Sequence, residues 1–328
     1  MEKNVSIIIP CRDEEKFIGK CLDSIISQDF PKESLEVLVV NGASEDRTEE
    51  IVRQYSLKHP LVRLLENPQK FTPFGLNIGI KEAKGRVIIR MDAHAGYSRD
   101  YVSKCVSHLE ESGADNVGGA VRTLPARDTL IARAIALSLS NRFGAASDFR
   151  IGTKEAKEVD TVFGGCFPRE IFNKVGFFNE KLKRSQDLEF NLRIRKSGGR
   201  ILLFPDIVVE YYPQPTLSRF FRHNVEDGIW SILPLKFVKT KFKLRHYIPL
   251  IFVGSLLGSG ILSLFSWKFF LIFWMIVFFY GFLNIFFSFG VALKERDPRF
   301  LLLMPLAFIA RHFGYGLGSI WGLIKLIK

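Results

Sequence analysis

Cysteine is scarce in this 328-residue chain, and the glycine signatures of the common nucleotide-binding folds are missing. The four cysteines, Cys11, Cys21, Cys105 and Cys166, form no CxxC pair and no metal-type spacing. That excludes a disulfide framework or zinc knuckle and leaves reduced thiols. No GxGxxG follows the first apolar run, and GxxxxGK followed by Ser or Thr does not occur. A dinucleotide oxidoreductase and a P-loop NTPase therefore lose their main support. The opening MEKNVSIIIP enters a run of strand length without the apolar segment and small-residue cleavage site of a secretory leader, so a cytosolic domain is expected. A hydrophobic content of 47% excludes a disordered chain.

Charge is missing from two long C-terminal stretches. Residues 247–267 and 269–293 contain no Asp, Glu, Lys or Arg, and only Lys268 separates them. The first, at about 1.5 Å per residue, reaches roughly the 30 Å of a bilayer's hydrocarbon core. Such runs have no polar face for water, so two spanning helices in a hairpin are expected. A third stretch, Phe300–Ile324, is interrupted by Arg311 and His312 and carries Gly314, Gly316, Gly318 and Gly322. Spanning, re-entry and an interfacial position all stay open for it. Contact with a lipid phosphate and simple snorkelling stay open for Arg311 and His312.

The net charge of +12 is segregated. Residues 1–235 hold 34 basic and 32 acidic groups, whereas residues 236–247 hold five basic groups and no acid. A nucleic-acid binder would spread its basic excess over the folded surface, so nucleic acid is not an expected partner. Lys236, Lys239, Lys241, Lys243 and Arg245 precede the first uncharged run, and Lys294, Arg296 and Arg299 follow the second. Basic flanks point both ends to the cytoplasm and make anionic membrane lipid the partner of the basic segment. The expected organisation is a cytosolic domain over 1–235, with halves of about 1–120 and 121–235. A basic juxtamembrane segment at 236–246 and a membrane region of two to three helices at 247–328 follow. That describes a multi-pass cell-membrane protein with its large domain in the cytoplasm.

Within the large domain, apolar runs of strand length alternate with helical periodicity. Strands are expected at Val5–Ile9, Glu36–Val40, Leu61–Leu65 and Arg86–Met91. Helices fall between them, one N-capped by Ser44 and one running from about Pro73 to Ala83 and closed by Gly85. This alternation predicts a mostly parallel sheet, in which ligands bind beyond the carboxyl ends of the strands. Arg12, Asp13 and Glu14 follow the first strand, Asn41 to Asp46 the second, and Asp92 with His94 the fourth. A carboxylate and an imidazole two residues apart in a turn can share a divalent cation whose other positions face phosphate oxygens. By itself the pattern is weak, since a lone Asp-x-His more often belongs to an ordinary polar surface.

Five segments in order, VSIIIPCRDEEKFIGKCLDSI, VLVVNGASEDRT, LNIGIKEAKGRVIIRMDAHA, FGGCFPREIFNKVGFFNE and SQDLEFNLRIRKSGG, resemble the family 2 glycosyltransferases over most of residues 5–230. The similarity is to membrane-bound enzymes of the succinoglycan and exopolysaccharide type. It implies an α/β GT-A nucleotide-sugar-binding fold followed by C-terminal transmembrane helices. Carried over residue by residue, it implies that Pro10, Arg12, Glu14, Asn41 and Asp46 lie at the nucleotide sugar. Asp92 would join them there and, with His94, hold Mn²⁺ or Mg²⁺, and Asp187 would be the general base. Asn41 stands where many relatives have Asp, and His94 replaces the second Asp of the metal motif, which leans toward Mn²⁺. Residues 219–230 match the family's Gln-x-x-Arg-Trp helix only loosely, with His223 at the Gln position, so a processive synthase is weakly supported.

The implied chemistry is inverting transfer of one sugar from a nucleotide-diphosphate sugar, a UDP-sugar by family habit, to a lipid-linked saccharide in surface polysaccharide synthesis. Two alternatives stand beside it: a polyprenyl-phosphate glycosyl synthase, and a nucleotide-sugar-binding membrane protein without catalysis.

Overall fold

A computed structural model describes residues 4–145, 147–238 and 244–327. Lys239, Lys241 and Lys243 of the expected basic segment lie outside the described residues. The elements run β1 (Val5–Cys11), α1 (Ile18–Ile26), β2 (Leu35–Asn41), α2 (Thr48–Lys58), β3 (Val62–Glu66), α3 (Thr72–Glu82), β4 (Val87–Arg90), β5 (Ala95–Tyr97), α4 (Tyr101–Ser112) and β6 (Asn116–Thr123). Then come α5 (Leu130–Leu139), α6 (Asp148–Ile151), β7 (Lys157–Glu158), β8 (Cys166–Pro168), α7 (Ile171–Val175), α8 (Gln186–Lys196), β9 (Ile201–Tyr211) and α9 (Leu217–Ile232). Three helices complete the chain, α10 (Ile248–Leu262), α11 (Trp267–Glu295) and α12 (Phe300–Ile327).

Two compact units result, residues 1–122 with 152–211, and residues 123–151 with 212–328. Residues 123–151 and 212–235, which sequence reading groups with the large domain, pack instead with the C-terminal helices.

In the first unit one mixed sheet runs β3-β2-β1-β4-β8-β6-β9-β5, with β7 paired to β9. The first four strands of that order are parallel, as the alternation predicts. Beyond them β8 runs antiparallel to β4 and β6, and β5 and β7 antiparallel to β9. The parallel strands are apolar on both faces because both are covered. Ile7, Ile9, Val37 and Val39 share a core with Ile18, Cys21, Leu22 and Ile25 of α1. On the opposite face Ile8 lies so close to α3 that a Cβ on Gly79 would fall 2.5 Å from its Cγ2.

Two local expectations change. Gly85 does not close α3 in a left-handed turn, since the helix ends at Glu82 and Ala83 is already extended. Glycine is needed there for space: a Cβ would meet the Ser6 backbone nitrogen at 2.6 Å, and the Gly85 N–H donates to Ser6 Oγ at 2.8 Å. Ser44 does not cap α2, which starts at Thr48, and the Thr48 N–H donates to the Asp46 carboxylate at 2.9 Å.

In the second unit α9 and α12 cross at backbone distance. A Cβ on Gly228 would reach Tyr315 O at 2.1 Å, and one on Gly318 would reach Val225 O at 2.0 Å. The glycines of the third apolar stretch therefore serve helix packing. Nearby, Ala134 of α5 joins Val291, Phe300, Met304 and Phe308 in a separate apolar core. Among the described residues two helices are long and apolar enough to cross a bilayer, α11 and α12. The uncharged run beginning at Tyr247 yields only the 15 residues of α10, about 22 Å long, before the chain turns at Ser263.

Gly85→Ala should lower stability by about 1–3 kcal/mol, the usual cost of an overpacked site, measurable by thermal unfolding. Gly113→Ala, at a left-handed position with open space around it, should cost about 1–2 kcal/mol through backbone strain alone.

Candidate active site

Register brings the candidate residues to one edge of the sheet. Cys11 pairs with Asn41 across β1 and β2, and Ile8 with Arg90 across β1 and β4. The segments that follow all leave from the carboxyl ends of parallel strands. The first two interlock through hydrogen bonds. Asp13 N–H donates to Ser44 Oγ at 3.0 Å, Glu45 N–H to Asp13 Oδ1 at 2.8 Å, and Glu15 N–H to Asp46 Oδ2 at 3.0 Å. Glu14 N–H donates to Thr48 Oγ1 at 2.7 Å. Asp13 and Ala43 sit at φ values of 56° and 50°, conformations that L-residues hold only where surroundings enforce them.

Asp46 staples these loops. Burial opposes its charge, but the Thr48 hydroxyl and the backbone N–H groups of Glu15 and Thr48 outweigh it and lower its pKa. Asn41 is fully buried, accepting from Ser44 Oγ at 2.7 Å and donating to Glu49 Oε2 at 3.1 Å. Its amide thus shapes the loop from within. Arg12 reaches outward to Glu45 at 3.5 Å, and Pro10 lies within β1 opposite Val40.

A second cluster gathers around β4. Arg90, only 8% exposed, sends Nη2 to Asp92 Oδ1 at 3.0 Å, and its Nη1 lies 3.8 Å from Asp187 Oδ2. Burial opposes the Asp92 charge, but Arg90, aided by His94, overcomes it and holds the carboxyl below the usual carboxylate range. Asp92 N–H donates to the Tyr97 hydroxyl at 2.6 Å, and burial drives the Tyr97 pKa well above its ordinary value. His94 Nδ1 lies 3.0 Å from Glu14 Oε1. Burial works against the imidazolium, while the Glu14 hydrogen bond and the Asp92 charge work for it, and the balance raises the His94 pKa.

Asp187 opens α8 just after Ser185, itself left-handed at φ 56°. Its Oδ1 accepts from the Leu188 N–H at 2.8 Å, and its side chain is 38% exposed. Gly164 and Gly165 bring β8 alongside, both at positive φ, and Gly165 O accepts from Arg90 N–H at 3.0 Å. Sequence reading brings Asp92, His94, Glu14 and Asp187 to this edge; the structure sets Asp92 and Asp187 against Arg90 and Glu14 against His94. Arg12, Asn41 and Asp46 belong to the neighbouring loop scaffold. Arg90 escapes sequence reading, because a single arginine in an apolar run suggests a strand end; its one signal is its place two residues before Asp92.

The donor set suits a divalent cation. Glu14 on Nδ1 leaves Nε2 of His94 as the ligand-type nitrogen, the arrangement of a metal-binding histidine with a supporting carboxylate. Asp92 supplies an ionised oxygen beside it. Among the described residues no three His, Cys, Asp or Glu side chains converge as a metal cluster. A cation here would take two protein ligands and complete its shell from phosphate and water, as Mg²⁺ sites at diphosphates do. Arg90 Nε and Nη1 and Gln186 Oε1 are buried without a hydrogen bond from the protein.

Comparison with known proteins agrees with this geometry. The family described as glycosyl transferase family 2 matches residues 6–176. The dolichyl N-acetyl-alpha-D-glucosaminyl phosphate 3-beta-D-2,3-diacetamido-2,3-dideoxy-beta-D-glucuronosyltransferase of Methanococcus voltae is 27% identical over 98% of this chain and 97% of its own. The succinoglycan biosynthesis protein ExoA of Rhizobium meliloti is 27% identical over 70% of this chain and 74% of its own. Among solved structures, the mannosyltransferase PcManGT of Pyrobaculum calidifontis, in complex with GDP-Man and Mn²⁺, aligns with a TM-score of 0.66 at 20% identity. That alignment covers 99% of this chain and 88% of PcManGT.

Arg90→Met should strand two carboxylates and cost about 3–5 kcal/mol, the usual loss when one partner of a buried ion pair is removed. Thermal unfolding of Arg90→Met beside the exposed-pair variant Arg47→Met checks this, and only the first should shift the transition appreciably.

Proposed function

The chain belongs to glycosyl transferase family 2, and from that premise we propose that it transfers one sugar, with inversion, from a nucleoside-diphosphate sugar to a lipid-linked saccharide at the cytoplasmic face of a membrane. The observation that carries this reading is the pair of carboxylates, Asp92 and Asp187, set on either side of buried Arg90.

Their environments differ in the way two roles require. Asp92 is held ionised and enclosed, suited to a cation at the diphosphate. Asp187 keeps one side open to solvent, suited to an acceptor hydroxyl. In the reaction Asp187 accepts the hydroxyl proton as the acceptor oxygen bonds to the anomeric carbon. The bond from that carbon to the diphosphate oxygen breaks on the opposite face, so configuration inverts without an enzyme-bound sugar. The Leu188 N–H orients the carboxylate while it gains the proton, with the Arg90 charge 3.8 Å away. Mn²⁺ or Mg²⁺ on Asp92 and His94 would neutralise charge on the departing nucleoside diphosphate. Glu14 keeps His94 in the ligating tautomer, and the interlocked loops after β1 and β2 wall the nucleoside side.

The acceptor class draws support from the Methanococcus voltae relative, named for a dolichyl-phosphate-linked substrate and matched over 97% of its length. A membrane site draws support from α11 and α12, which are long and apolar enough to cross.

Asp187→Asn should reduce transfer by about 10² to 10⁴-fold, the usual contribution of a general base, while donor affinity stays within about threefold of the parent. Product formation from labelled nucleotide sugars and donor binding by calorimetry test the two halves. Parental turnover in this variant removes Asp187 from the assignment.

A further inference from the structure

The second unit holds a cavity of about 760 Å³ between α10, α11, α12 and the segment joining α5 to α6. Its chemistry is divided. Phe252, Ile276, Phe279, Leu283 and Phe287 make an aromatic and aliphatic interior, while Arg142, Arg245, Arg311, His246 and His312 also line it, with no carboxylate in the lining. We infer that this cavity binds a phosphate-headed or pyrophosphate-headed isoprenoid lipid, with the head on the arginines and the first prenyl units among the phenylalanines. The inference rests on the reading of the enzyme as a transferase to lipid-linked acceptors and names where that lipid is gripped.

The polar part is built and held in place. Arg311 donates through Nε to Gly144 O and through Nη1 to the buried Asn224 Oδ1 at 2.8 Å. His312 Nε2 lies 2.8 Å from Phe143 O, and its Nδ1 3.2 Å from the Tyr280 hydroxyl. Residues 143 and 144 are thereby tied to the middle of α12, which fixes neighbouring Arg142 at the rim. Arg245 approaches Asp148 at 3.7 Å, and Arg142 and Arg311 line the same cavity. Arginine in this density matches the oxygen-rich, multiply charged head of a phosphate ester. An apolar interior of this size is in the range of about 300–1,000 Å³ that accommodates one drug-sized ligand. It suits one branched chain entering singly. Phe143 stacks on Phe287 at 4.9 Å and Phe252 on Tyr280 at 4.5 Å, giving flat faces for the planar double bonds of prenyl units.

The test uses the full chain in nanodiscs of neutral lipid and a benzophenone-bearing isoprenoid pyrophosphate. Photolabelling should fall on Arg142, Phe143, Gly144 and Ser147 and the facing turns of α10, α11 and α12. Arg142→Gln combined with Arg245→Gln should weaken it at least about tenfold through the lost charge-assisted hydrogen bonds, and the corresponding Lys pair should restore most of it. Leu283→Trp, which fills the interior and leaves the charges, should also suppress labelling. Labelling that ignores both changes overturns the inference. So does equal competition by phosphatidylglycerol, which would make this an ordinary anionic-lipid site, or by inorganic pyrophosphate, which would make it an anion site alone. Labelling needs no donor and no turnover, so a wild-type chain that transfers no sugar yet labels as expected would refute the transferase reading and leave the lipid site standing.

Discussion

A guanidinium removed from water is the constraint on which the candidate edge of the sheet depends. Arg90 ends a strand whose neighbours on both sides are paired, so its charge has no route to bulk solvent. A buried cation is tolerable only with opposite charge at hydrogen-bonding distance. Asp92 meets that need from the same strand at 3.0 Å, and Asp187 at the start of α8 adds opposite charge at 3.8 Å. Both carboxylates thus face one guanidinium, which relates two acidic groups 95 positions apart in sequence. The paired glycines of FGG belong to the same arrangement. A side chain at Gly164 would fall 2.9 Å from Arg90 O, and both glycines hold positive φ so that β8 can pass there.

The loops after β1 and β2 solve a different problem. Leaving the carboxyl ends of parallel strands, they carry backbone N–H groups that no strand partner satisfies. Each loop satisfies the other: Asp13 and Asp46 accept from the backbone across the gap, and the Ser44 and Thr48 hydroxyls accept in return. Asn41 continues this inward role. An aspartate in its place would face Glu49 at about the present 3.1 Å, two like charges of which one is fully buried, whereas the amide donates to Glu49 and accepts from Ser44. The asparagine is thus accounted for by its partner on α2, without appeal to a changed ligand.

Much of this was legible in sequence, and the rest was not, for identifiable reasons. VSIII, LEVLVV and VII are apolar at every other position or more because both sheet faces are covered, so strands and their ends could be read directly. Asp92, His94, Glu14 and Asp187 followed from position after a strand or from resemblance. Arg90 did not, because its partnership with Asp187 exists only once β8 and α8 fold back beside β4. Gly85 looked like a helix terminator, and only the approach of β1 shows it to be a spacer. The run from 247 to 267 misled for a related reason: absence of charge measures solubility in lipid, whereas helix length depends on where the backbone turns, and it turns at Ser263.

In the second unit the two long helices use their apolar residues in opposite ways. Along α11 phenylalanines face outward, with Phe278 76% and Phe286 61% exposed, a surface with no role in water. Along α12 the small residues face inward, and Gly314, Gly318 and Gly322 let α9 approach to backbone contact. Association of apolar helices gains little from the hydrophobic effect in lipid and rests on such close packing. The same closeness carries Arg311 and His312 to where they bind the carbonyls of residues 143 and 144. Charges that interrupt an apolar helix in the sequence are therefore not interruptions in the fold. They are the points at which a helix of membrane composition is fastened to polar backbone, and the packing that fastens them also sets a cationic lining beside an apolar interior.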